Sequence, residues 1–489
     1  MPASHGGHGG CPHVEHDRCA KGAGGAWTQL PDSPIFVVHA AMLRTGRVLL
    51  WSGTAEVGYP TQSYLYDPAT NTYIGPQPYG EDLFCSGQTF LADGRVLVAG
   101  GAPQFFLPST HIFDPGAEAW TKLVGHDMNF GRWYPTLAPL ADGRVFAASG
   151  RNGVQPMEIF DPGPQSWTVV SGADKDFSQL YPSLHLLPSG QIFYSRTGWA
   201  AMGGTMGARL DFSGPASASW TDIAAMAFPD REEGASVILI DDTVSPPIVR
   251  VIVFGGGVSG AFNKQSCEMI DVTTLTPTPS WARMADMNFP RTNVNGVLLP
   301  DGKILAIGGQ RNGKWAANPD PVLQPELFDP AANTWTALTA MSWPRQYHSV
   351  AVLLPDGRVL TAGGIDPTLG GPPARDLRKV EIFSPPYLFQ GVRPAITGAP
   401  ATSTYGGSVA INTPDALSVS SVALMRPIAV THHTDAGQRY VKLKITATTP
   451  ASVTVTIPAN GFIAPPGFYM LFLVNAAGVP SQAAWIQLT

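Results

Sequence analysis

The sequence predicts an all-β fold, and its composition and one recurring turn motif are the observations that predict it. Only 13% of the 489 residues are charged, whereas glycine (53) and proline (46) are abundant and aromatic residues make up 10%. Soluble chains usually carry about a quarter charged residues, so this composition is typical of short strands joined by tight turns. The net charge is −6, without a basic block, which argues against a nucleic-acid partner. No apolar run approaches membrane-spanning length, so we expect no membrane partner.

The recurring motif consists of an apolar run, an Asp-Gly-like turn, a second apolar run ending in Gly-Gly, then Glu-Ile/Leu-Phe-Asp-Pro and a tryptophan. Asp-Gly suits a tight hairpin because glycine tolerates positive φ. The turn glycines are Gly46, Gly94, Gly143, Gly190, Gly302 and Gly357. A degenerate copy between Asp241 and Gly257 makes seven repeats. A period of about 50 residues is the kelch pattern, in which each repeat forms one four-stranded blade. The sequence therefore predicts a seven-bladed kelch-type β-propeller.

The domain boundaries are predicted from where the repeat begins and ends. The segment AWTQLP at residues 26–31 is similar to TWTALT at 334–339 and has no hairpin before it. We predict that it closes the last blade, which removes exposed sheet edges. After Pro386 the repeat stops, and alternating Thr, Ser, Val and Ala predict an immunoglobulin-like β-sandwich. The predicted units are a His/Gly-rich segment at 1–26, the propeller at 27–390 and the sandwich at 391–489.

Histidines and cysteines alternate with glycines in the first of these units. They are His5, His8, Cys11, His13, His16 and Cys19. Such a tract can bind metal. The interpretation we favour is a flexible tail closed by a Cys11–Cys19 disulfide, which fits an oxidising compartment. We expect Cys267 to be a small buried core residue with an unpaired thiol. The start of the chain lacks the features of a signal peptide, and we nevertheless predict a secreted protein.

Several residues share one position relative to the predicted turns. Cys85, Tyr134 and His348 each lie eight residues before a turn aspartate, and Tyr347 lies nine before. An eight-residue strand spans about 25 Å. We therefore expect these residues to meet at the face of the propeller opposite the turns.

Register alone does not identify a ligand, because Tyr181 and Asn293 share it. A ring of aromatic residues packed at the channel mouth would produce the same pattern. Tyr347 and His348 raise a further question, since neighbours on a regular strand face opposite ways. Both reach one site only if the strand is irregular at its start.

Seven segments together resemble the galactose oxidase and glyoxal oxidase family of copper-radical oxidases. They are DLFCSGQ, GRWYP, LYPSLHLLPSG, NPDPVLQPELFDP, RQYHSVAVLLPDGRVLTAGG, THHTDAGQR and PPGFYMLFLVNAAGVPS. The resemblance runs from about residue 27 to the end, and around Tyr134, Tyr181 and Tyr347 it is closer to the glyoxal oxidase branch. It implies an enzyme that oxidises a primary alcohol or aldehyde with O₂, giving the aldehyde or carboxylic acid and H₂O₂.

The resemblance also implies a role for individual residues. Cys85 matches the cysteine that forms a thioether with a tyrosine, here Tyr134, and this modified tyrosine carries the radical and binds copper. Tyr347 matches the axial tyrosine, which takes the substrate proton as general base, and His348 matches a histidine ligand. The second histidine of the family lies seven residues before an arginine, a position that His432 occupies here.

This implied donor set suits Cu²⁺. Two imidazoles and a phenolate are typical of tetragonal Cu(II) with an open position. A free tyrosine has a pKa near 10, so it needs the charge of the metal to ionise at neutral pH. Copper would supply one oxidising equivalent, and the Cys–Tyr thioether cofactor at Cys85 and Tyr134 would supply the other. His433, next to His432, is expected to be a neighbour and not a ligand.

The sequence departs from the resemblance at one point. In galactose oxidase a tryptophan just after the Gly-Gly of the same blade stacks over the crosslink, and here that place reads ASGRNG, with Arg151 and Asn152. Trp133, Trp199 and Phe262 are the candidates to replace it from elsewhere.

The alternative function is a non-catalytic kelch propeller that binds a protein or glycan through its loops, because a fold does not determine a function. A binding module has no need for the five implied site residues together. A hydrolase is disfavoured, since the sequence has no nucleophile elbow, H-E-x-x-H or P-loop. We predict a monomeric oxidase whose partners are a small alcohol or aldehyde and O₂.

Overall fold

A computed structural model describes most of the chain: residues 21–53, 61–101, 106–150, 154–177, 180–195, 197–198, 206–229, 231–257, 264–313, 319–369, 375 and 377–489. Strands dominate these segments. The 3₁₀ helices are Pro367–Leu369, Pro386–Phe389 and Ala416–Ser418. Within the described segments, no helix is both long enough and apolar enough to cross a membrane.

Seven four-stranded antiparallel sheets form the propeller, and we number these blades in the order of their inner strands. From the inner strand outward they are His39–Met42, Val48–Trp51, Gln62–Asp67 and Thr72–Pro78 (blade 1); Gly87–Phe90, Val96–Ala99, Thr110–Asp114 and Ala119–Lys122 (blade 2); Thr136–Pro139, Val145–Ala148, Gln155–Asp161 and Ser166–Lys175 (blade 3); Leu184–Leu186, Ile192–Tyr194, Met206–Gly214 and Ser217–Ala225 (blade 4); Ala235–Asp241, Ile248–Phe254, Cys267–Asp271 and Trp281–Arg283 (blade 5); Asn295–Leu298, Ile304–Ile307, Glu326–Asp329 and Thr334–Ala337 (blade 6); Ser349–Leu353, Val359–Gly363, Val380–Ser384 and Ala26–Gln29 (blade 7). Two short strands, Thr197–Gly198 and Arg231–Glu232, pair beside them.

The last blade is closed by the first strand of the chain, as predicted. Ala26–Gln29 pairs antiparallel with Val380–Ser384, so that Trp27 lies opposite Phe383. This pairing gives the last blade its fourth strand and joins the two ends of the propeller chain.

The tryptophan of the repeat connects neighbouring blades. In blades 2 to 7 its indole N–H donates to an oxygen of the preceding blade or of the chain just after that blade, at 2.8–3.1 Å. The donors are Trp120, Trp167, Trp220, Trp281, Trp335 and Trp27. A buried indole normally finds such a partner, so the motif position has a structural reason.

The glutamate of the repeat motif forms a buried ion pair in four blades. Its carboxylate accepts hydrogen bonds from an arginine that lies ten or eleven residues before the turn position, at 2.5–3.1 Å. The pairs are Arg132–Glu158, Arg231–Glu268, Arg291–Glu326 and Arg345–Glu381. Each arginine also donates to backbone carbonyls of its own blade, which satisfies the charge inside the protein.

The carboxy-terminal domain is a sandwich of two sheets that share one long strand. That strand, Tyr440–Thr449, pairs with Val419–Met425 on one side and with Ser452–Thr456 on the other. The remaining strands are Thr402–Ser403, Ser408–Asn412, Gly467–Asn475 and Ala484–Leu488. The predicted fold class, a seven-bladed propeller followed by a β-sandwich, is confirmed.

Two backbone pairings join this domain to the propeller. Tyr440 to Lys442 pair in parallel with Leu239 to Asp241 of blade 5. A short strand, Ala429–Thr431, pairs antiparallel with the inner strand of blade 1. The chain between these pairings therefore lies against the inner strands, where it reaches the face opposite the turns.

Candidate metal centre

Six blades place a residue in the left-handed backbone region just before the inner strand. The residues and their φ angles are Cys85 (59°), Tyr134 (63°), Tyr181 (46°), Glu233 (55°), Asn293 (57°) and His348 (67°). All six lie eight residues before the turn position, at what we call the ring position. Residues other than glycine seldom adopt this backbone conformation. The ring of six residues therefore concentrates backbone strain at one face of the propeller.

The predicted register is correct, but the predicted strand length is wrong. The inner strand of blade 2 has four residues, Gly87–Phe90, and Cys85 precedes it. The left-handed turn at the ring position, and not an extended strand of eight residues, brings the side chains together. Glu233 belongs to this ring and was missed, because its repeat lacks the turn glycine that marks the other five.

Backbone hydrogen bonds connect the ring residues of successive blades. The Tyr134 N–H donates to the carbonyl of Cys85, and the Tyr181 N–H donates to the carbonyl of Tyr134, both at 2.9 Å. The two tyrosine rings pack with their centroids 4.7 Å apart and their planes 61° apart. These contacts hold the three side chains of blades 2, 3 and 4 against each other.

Blade 7 differs from its neighbours by one residue. Two residues lie between Arg345 and His348, whereas one residue lies between Arg291 and Asn293 in blade 6. The additional residue is Tyr347, and its ring lies 3.8 Å from that of His348, with the planes 31° apart. The irregular start predicted for this strand is therefore present, and both side chains face the same site.

His432 enters the site from the carboxy-terminal domain. It follows the strand that pairs with blade 1, and its own φ is 46°. The Thr431 hydroxyl donates to the carbonyl of Val38 at 3.0 Å, and so it accepts the Nδ1–H of His432 at 2.7 Å. This fixes the tautomer of His432 with the lone pair on Nε2, as a metal ligand requires.

The adjacent His433 points elsewhere. Its Nε2 lies 3.4 Å from both the Gln346 carbonyl and the Ser349 hydroxyl. The geometry therefore agrees with the expectation that His433 is a neighbour of the site, and it brings His432 to the centre instead.

Five predicted residues converge in one buried cluster. The Cys85 Sγ and one ring nitrogen of each of His348 and His432 all lie within 4.8 Å of one another. The Cys85 Sγ is 3.7 Å from the His432 Nε2. The hydroxyls of Tyr134 and Tyr347 are hydrogen-bonded to each other, and all five side chains are buried.

The electrostatics of this cluster favour a cation. Burial, followed by the nearby Cys85 and Tyr347, raises the pKa of Tyr134 well above 10. Its phenol is therefore neutral at physiological pH unless a positive charge lies beside it. Two imidazole nitrogens and a phenol oxygen form a donor set that Cu(II) prefers. The residues present fit a copper ion.

Aromatic side chains surround the Tyr134 ring, but the described ones are not stacked on it. The Trp133 ring is 4.4 Å away and nearly perpendicular, at 87°. The Tyr181 ring, which was not among the candidates, is tilted by 61°. Trp199 and Phe262 lie outside the described residues, as do Arg151 and Asn152.

The other cysteines are not part of this cluster. Cys267 is fully buried in the third strand of blade 5, and burial raises the pKa of its thiol to about 12. This agrees with the prediction of a small core residue. Cys11, Cys19 and the histidines between them lie outside the described residues.

Two residues that contact the cluster were missed by sequence reasoning. Thr431 orients His432, and the buried His39 of blade 1 accepts a hydrogen bond from the Cys85 N–H. A histidine inside the apolar run FVVHAAML is the available signal for the second, but the pattern alone does not distinguish it from a core histidine.

Comparisons with known proteins agree with this geometry. Residues 52–387 match the family model described as glyoxal oxidase N-terminus, and residues 393–488 match the galactose oxidase-like, early set domain. The chain belongs to the glyoxal oxidase and galactose oxidase family. Relatives within it include an aldehyde oxidase GLOX from Vitis pseudoreticulata, 32% identical over 95% of this chain and 97% of the relative. A galactose oxidase from Gibberella zeae is 30% identical, over 95% of this chain and 71% of the relative.

A solved structure of the same type extends the comparison to three dimensions. A fungal alcohol oxidase of the AA5 family, in complex with copper, superposes with a TM-score of 0.81. The sequences are 27% identical, and the match covers 95% of this chain and 99% of the other. The predicted family and function class, a copper-dependent oxidase of an alcohol or aldehyde, are confirmed.

Proposed function

We propose that Tyr134, Tyr347, His348 and His432 hold one copper ion, and that a thioether between Cys85 and Tyr134 completes the redox centre. In this proposal the enzyme oxidises a primary alcohol or an aldehyde with O₂ as acceptor. The observation that carries it is the convergence of these five side chains from blades 2, 3 and 7 and from the carboxy-terminal domain.

Each residue has a role that follows from its position. Bound copper would supply one oxidising equivalent, and its positive charge would favour the ionised form of Tyr134. Tyr134 holds the second equivalent as a radical, because its ring is buried and is joined to an electron-donating sulfur. Tyr347, as its phenolate, would accept the hydroxyl proton of the substrate, and its oxygen lies beside that of Tyr134 in the cluster. The imidazoles of His348 and His432 keep the metal in place.

The overall reaction balances without an organic cofactor. A primary alcohol loses the hydroxyl proton and one hydrogen from the adjacent carbon, which is two electrons and two protons. These pass to O₂ and give H₂O₂ and the aldehyde. An aldehyde reacts in the same way through its hydrate, which carries both an O–H and a C–H bond, and gives the carboxylic acid.

The relatives indicate the range of substrates. Their names include galactose oxidase, aldehyde oxidase and alcohol oxidase, which are all consistent with a primary alcohol or an aldehyde hydrate. We propose small alcohols and aldehydes as the substrate class of this chain, with O₂ as the second partner.

A matched pair of variants tests the metal assignment. We expect His432→Ala to lose bound copper and peroxide output together, and His433→Ala to keep most of both. Copper is measured per chain by elemental analysis, and H₂O₂ release is measured across a panel of alcohols, aldehydes and sugars. Full copper occupancy and full peroxide output in His432→Ala would contradict the assignment.

The thioether has its own test. We expect a Cys85–Tyr134 peptide that survives reduction, with the loss of two hydrogens relative to the sequence mass. Cys85→Ser should fold and bind copper, because a buried thiol-to-hydroxyl change costs on the order of 1–3 kcal/mol. Its oxidase activity should fall steeply. Peptide mapping that finds the unmodified thiol in fully active, copper-loaded enzyme would overturn the mechanism and restore the binding-module alternative.

We further propose that the enzyme works as a secreted monomer that binds neither nucleic acid nor membrane. A Cys11–Cys19 disulfide would require an oxidising compartment, and the low net charge of −6 with no basic block supports the absence of nucleic acid. The proposed units remain 1–26 as a tail, 27–390 as the propeller and 391–489 as the domain that supplies His432.

A further inference from the structure

We propose that His39 is a positioning residue that holds the Cys85 backbone in the conformation needed for the thioether to form. This inference rests on the proposed function and adds a step that precedes catalysis. His39 is the first residue of the inner strand of blade 1, and no motif of the sequence assigns it to the site.

Two hydrogen bonds fix both the tautomer and the orientation of His39. Its Nε2 accepts the backbone N–H of Cys85 at 3.2 Å, so the ring proton must be on Nδ1. The Nδ1–H then donates to the Gln88 side-chain oxygen at 2.8 Å. The ring also stacks on Trp51, with centroids 4.9 Å apart and planes within 10°. His39 thus spans blades 1 and 2 as a rigid acceptor, and both nitrogens are engaged.

The contact acts on the strained residue itself. Cys85 has a φ of 59°, a backbone angle that residues other than glycine seldom adopt. Its N–H is held by His39, and its carbonyl accepts the N–H of Tyr134 at 2.9 Å. Both peptide groups around the Cys85 Cα are therefore fixed by neighbouring blades. In this orientation the Cys85 side chain packs in the same buried cluster as Tyr134, with its Sγ 3.7 Å from the His432 Nε2.

Without the acceptor on His39, the Cys85 N–H would be buried and unsatisfied, which proteins avoid. The peptide would rotate to recover a partner, and the rotation would move the sulfur away from the Tyr134 ring. The reaction at stake breaks the S–H bond of Cys85 and the ortho C–H bond of Tyr134 and forms one C–S bond. The two electrons and two protons released go to O₂, which becomes H₂O₂. The rate of this step depends on how often the sulfur lies beside the ring carbon.

The chain offers a matched control for a buried histidine. His185 lies in the inner strand of blade 4, is as buried as His39, and hydrogen-bonds through Nε2 to the Ser236 hydroxyl at 2.7 Å. Its hydrogen-bond partner therefore belongs to blade 5, away from Cys85. Replacing His185 removes a similar interaction from the core without removing an acceptor from Cys85.

The experiment follows thioether formation in the full chain. Copper-free, unprocessed protein is mixed with Cu²⁺ in air, and the crosslinked Cys85–Tyr134 peptide is quantified over time by mass spectrometry. We expect His39→Leu to slow its formation by about tenfold or more, because leucine has no acceptor. His39→Gln should remain near wild type, since the glutamine oxygen reaches the place of Nε2. His185→Leu should also process at the wild-type rate.

A second measurement does not depend on copper. Hydrogen exchange of the Cys85 amide in copper-free protein should accelerate in His39→Leu and stay slow in His39→Gln and His185→Leu. If His39→Leu does not fold, His39→Asn replaces it, because asparagine is one methylene shorter and its oxygen falls short of the Cys85 N–H.

The outcomes separate this inference from the proposed function. Wild-type processing in His39→Leu or His39→Asn, or equal slowing in His185→Leu, overturns the positioning role. A wild-type chain that binds copper yet never forms the thioether overturns the proposed redox centre and the processing role with it. Unchanged amide exchange in His39→Leu or His39→Asn overturns the backbone contact, whatever the crosslinking result.

Discussion

Blades 6 and 7 have the same construction but different residues at the ring position. Each has an arginine bound to the motif glutamate, Arg291 in blade 6 and Arg345 in blade 7, and each inner strand begins just after a left-handed residue. In blade 6 that residue is Asn293, whose buried side-chain oxygen and nitrogen have no hydrogen-bond partner among the described residues. In blade 7 it is His348, at the cluster.

The two blades also differ in length, because blade 7 has one additional residue between the arginine and the ring position. In blade 7 this residue is Tyr347, and it brings a second side chain to the same site as His348. The rest of the blade is unchanged, since the ion pair and the inner hairpin are preserved. Blade 7 thus has one proposed ligand, His348, at the ring position and a second, Tyr347, through a local insertion, while the scaffold interactions remain those of a blade without ligands.

The largest effect should follow removal of the ring residue itself. We expect His348→Ala to lose copper and peroxide output almost completely, because it removes an imidazole donor. Asn293→Ala, at the equivalent position of blade 6, should keep copper and change stability little, since deleting buried polar atoms without a partner among the described residues is offset by the cost of alanine at a φ of 57°. Copper content and thermal unfolding measure both. Equal copper loss in the two variants would remove the distinction between the blades.

The inserted residue should affect turnover more than metal binding. We expect Tyr347→Phe to lower kcat by about 10²–10⁴-fold, the usual contribution of a positioned proton acceptor, while His348 and His432 retain copper. Thr292→Val is the control, because Thr292 directly precedes the ring residue of blade 6 and its hydroxyl donates to the Glu232 carbonyl at 3.0 Å and lies 3.5 Å from a Glu233 carboxylate oxygen, both within the propeller. Steady-state kinetics with copper analysis provide the measurement, and near wild-type kcat in Tyr347→Phe would refute its role.

Blades 6 and 7 share the same buried arginine–glutamate pair, and we therefore predict equal losses of stability when it is broken. Arg291→Met and Arg345→Met each leave a buried glutamate without its partner, which costs about 3–5 kcal/mol. We expect similar decreases in the free energy of unfolding, measured in denaturant. Only Arg345→Met should also weaken copper binding, because Arg345 supports the segment that carries Tyr347. A decrease in copper affinity for Arg291→Met as well would indicate a general effect of instability.

The smallest effect concerns the turns at the opposite face. Burial raises the pKa of Asp301, in the turn of blade 6, from 3.8 to about 6. Folding therefore favours its protonated form, so the free energy of unfolding falls as pH rises from about 4 to about 6. We expect Asp301→Asn to be more stable than wild type by about 1–2 kcal/mol at pH 7.5, with no difference near pH 4.

The turn of blade 7 should respond in the opposite direction. Asp356 is paired with Arg358 at 2.7 Å, and both side chains are partly exposed. Asp356→Asn should lose up to about 1 kcal/mol of stability at pH 7.5, since such surface pairs contribute little. Thermal unfolding of the two variants between pH 4 and pH 7.5 tests the comparison. A stabilising Asp356→Asn or a destabilising Asp301→Asn at pH 7.5 would contradict it.

The sequence by itself determined the number of blades, their order and the residues at most ring positions. Turn glycines recur in every clear repeat, and Gly-Gly pairs and tryptophans recur in many of them, because each repeat forms the same hairpins and packs against its neighbours in the same way. Counting from the turns placed Cys85, Tyr134 and His348 at one level together with Tyr181 and Asn293, and the family resemblance then singled out the first three. The closing strand at 26–31 was identified from its similarity to another outer strand. Blade 5 lacks the Asp-Gly turn, so its ring residue, Glu233, was not found.

Only the tertiary structure decided how these residues meet. The left-handed backbone at the ring is imposed by hydrogen bonds from neighbouring blades, such as that between Tyr134 and Cys85, and no local pattern specifies it. The same applies to His39, which is 46 residues from Cys85 in the chain, and to Thr431, which is 393 residues from its acceptor Val38. Contacts of this kind depend on the closure of the propeller around the carboxy-terminal chain, because closure alone brings residues so distant in sequence within hydrogen-bonding distance.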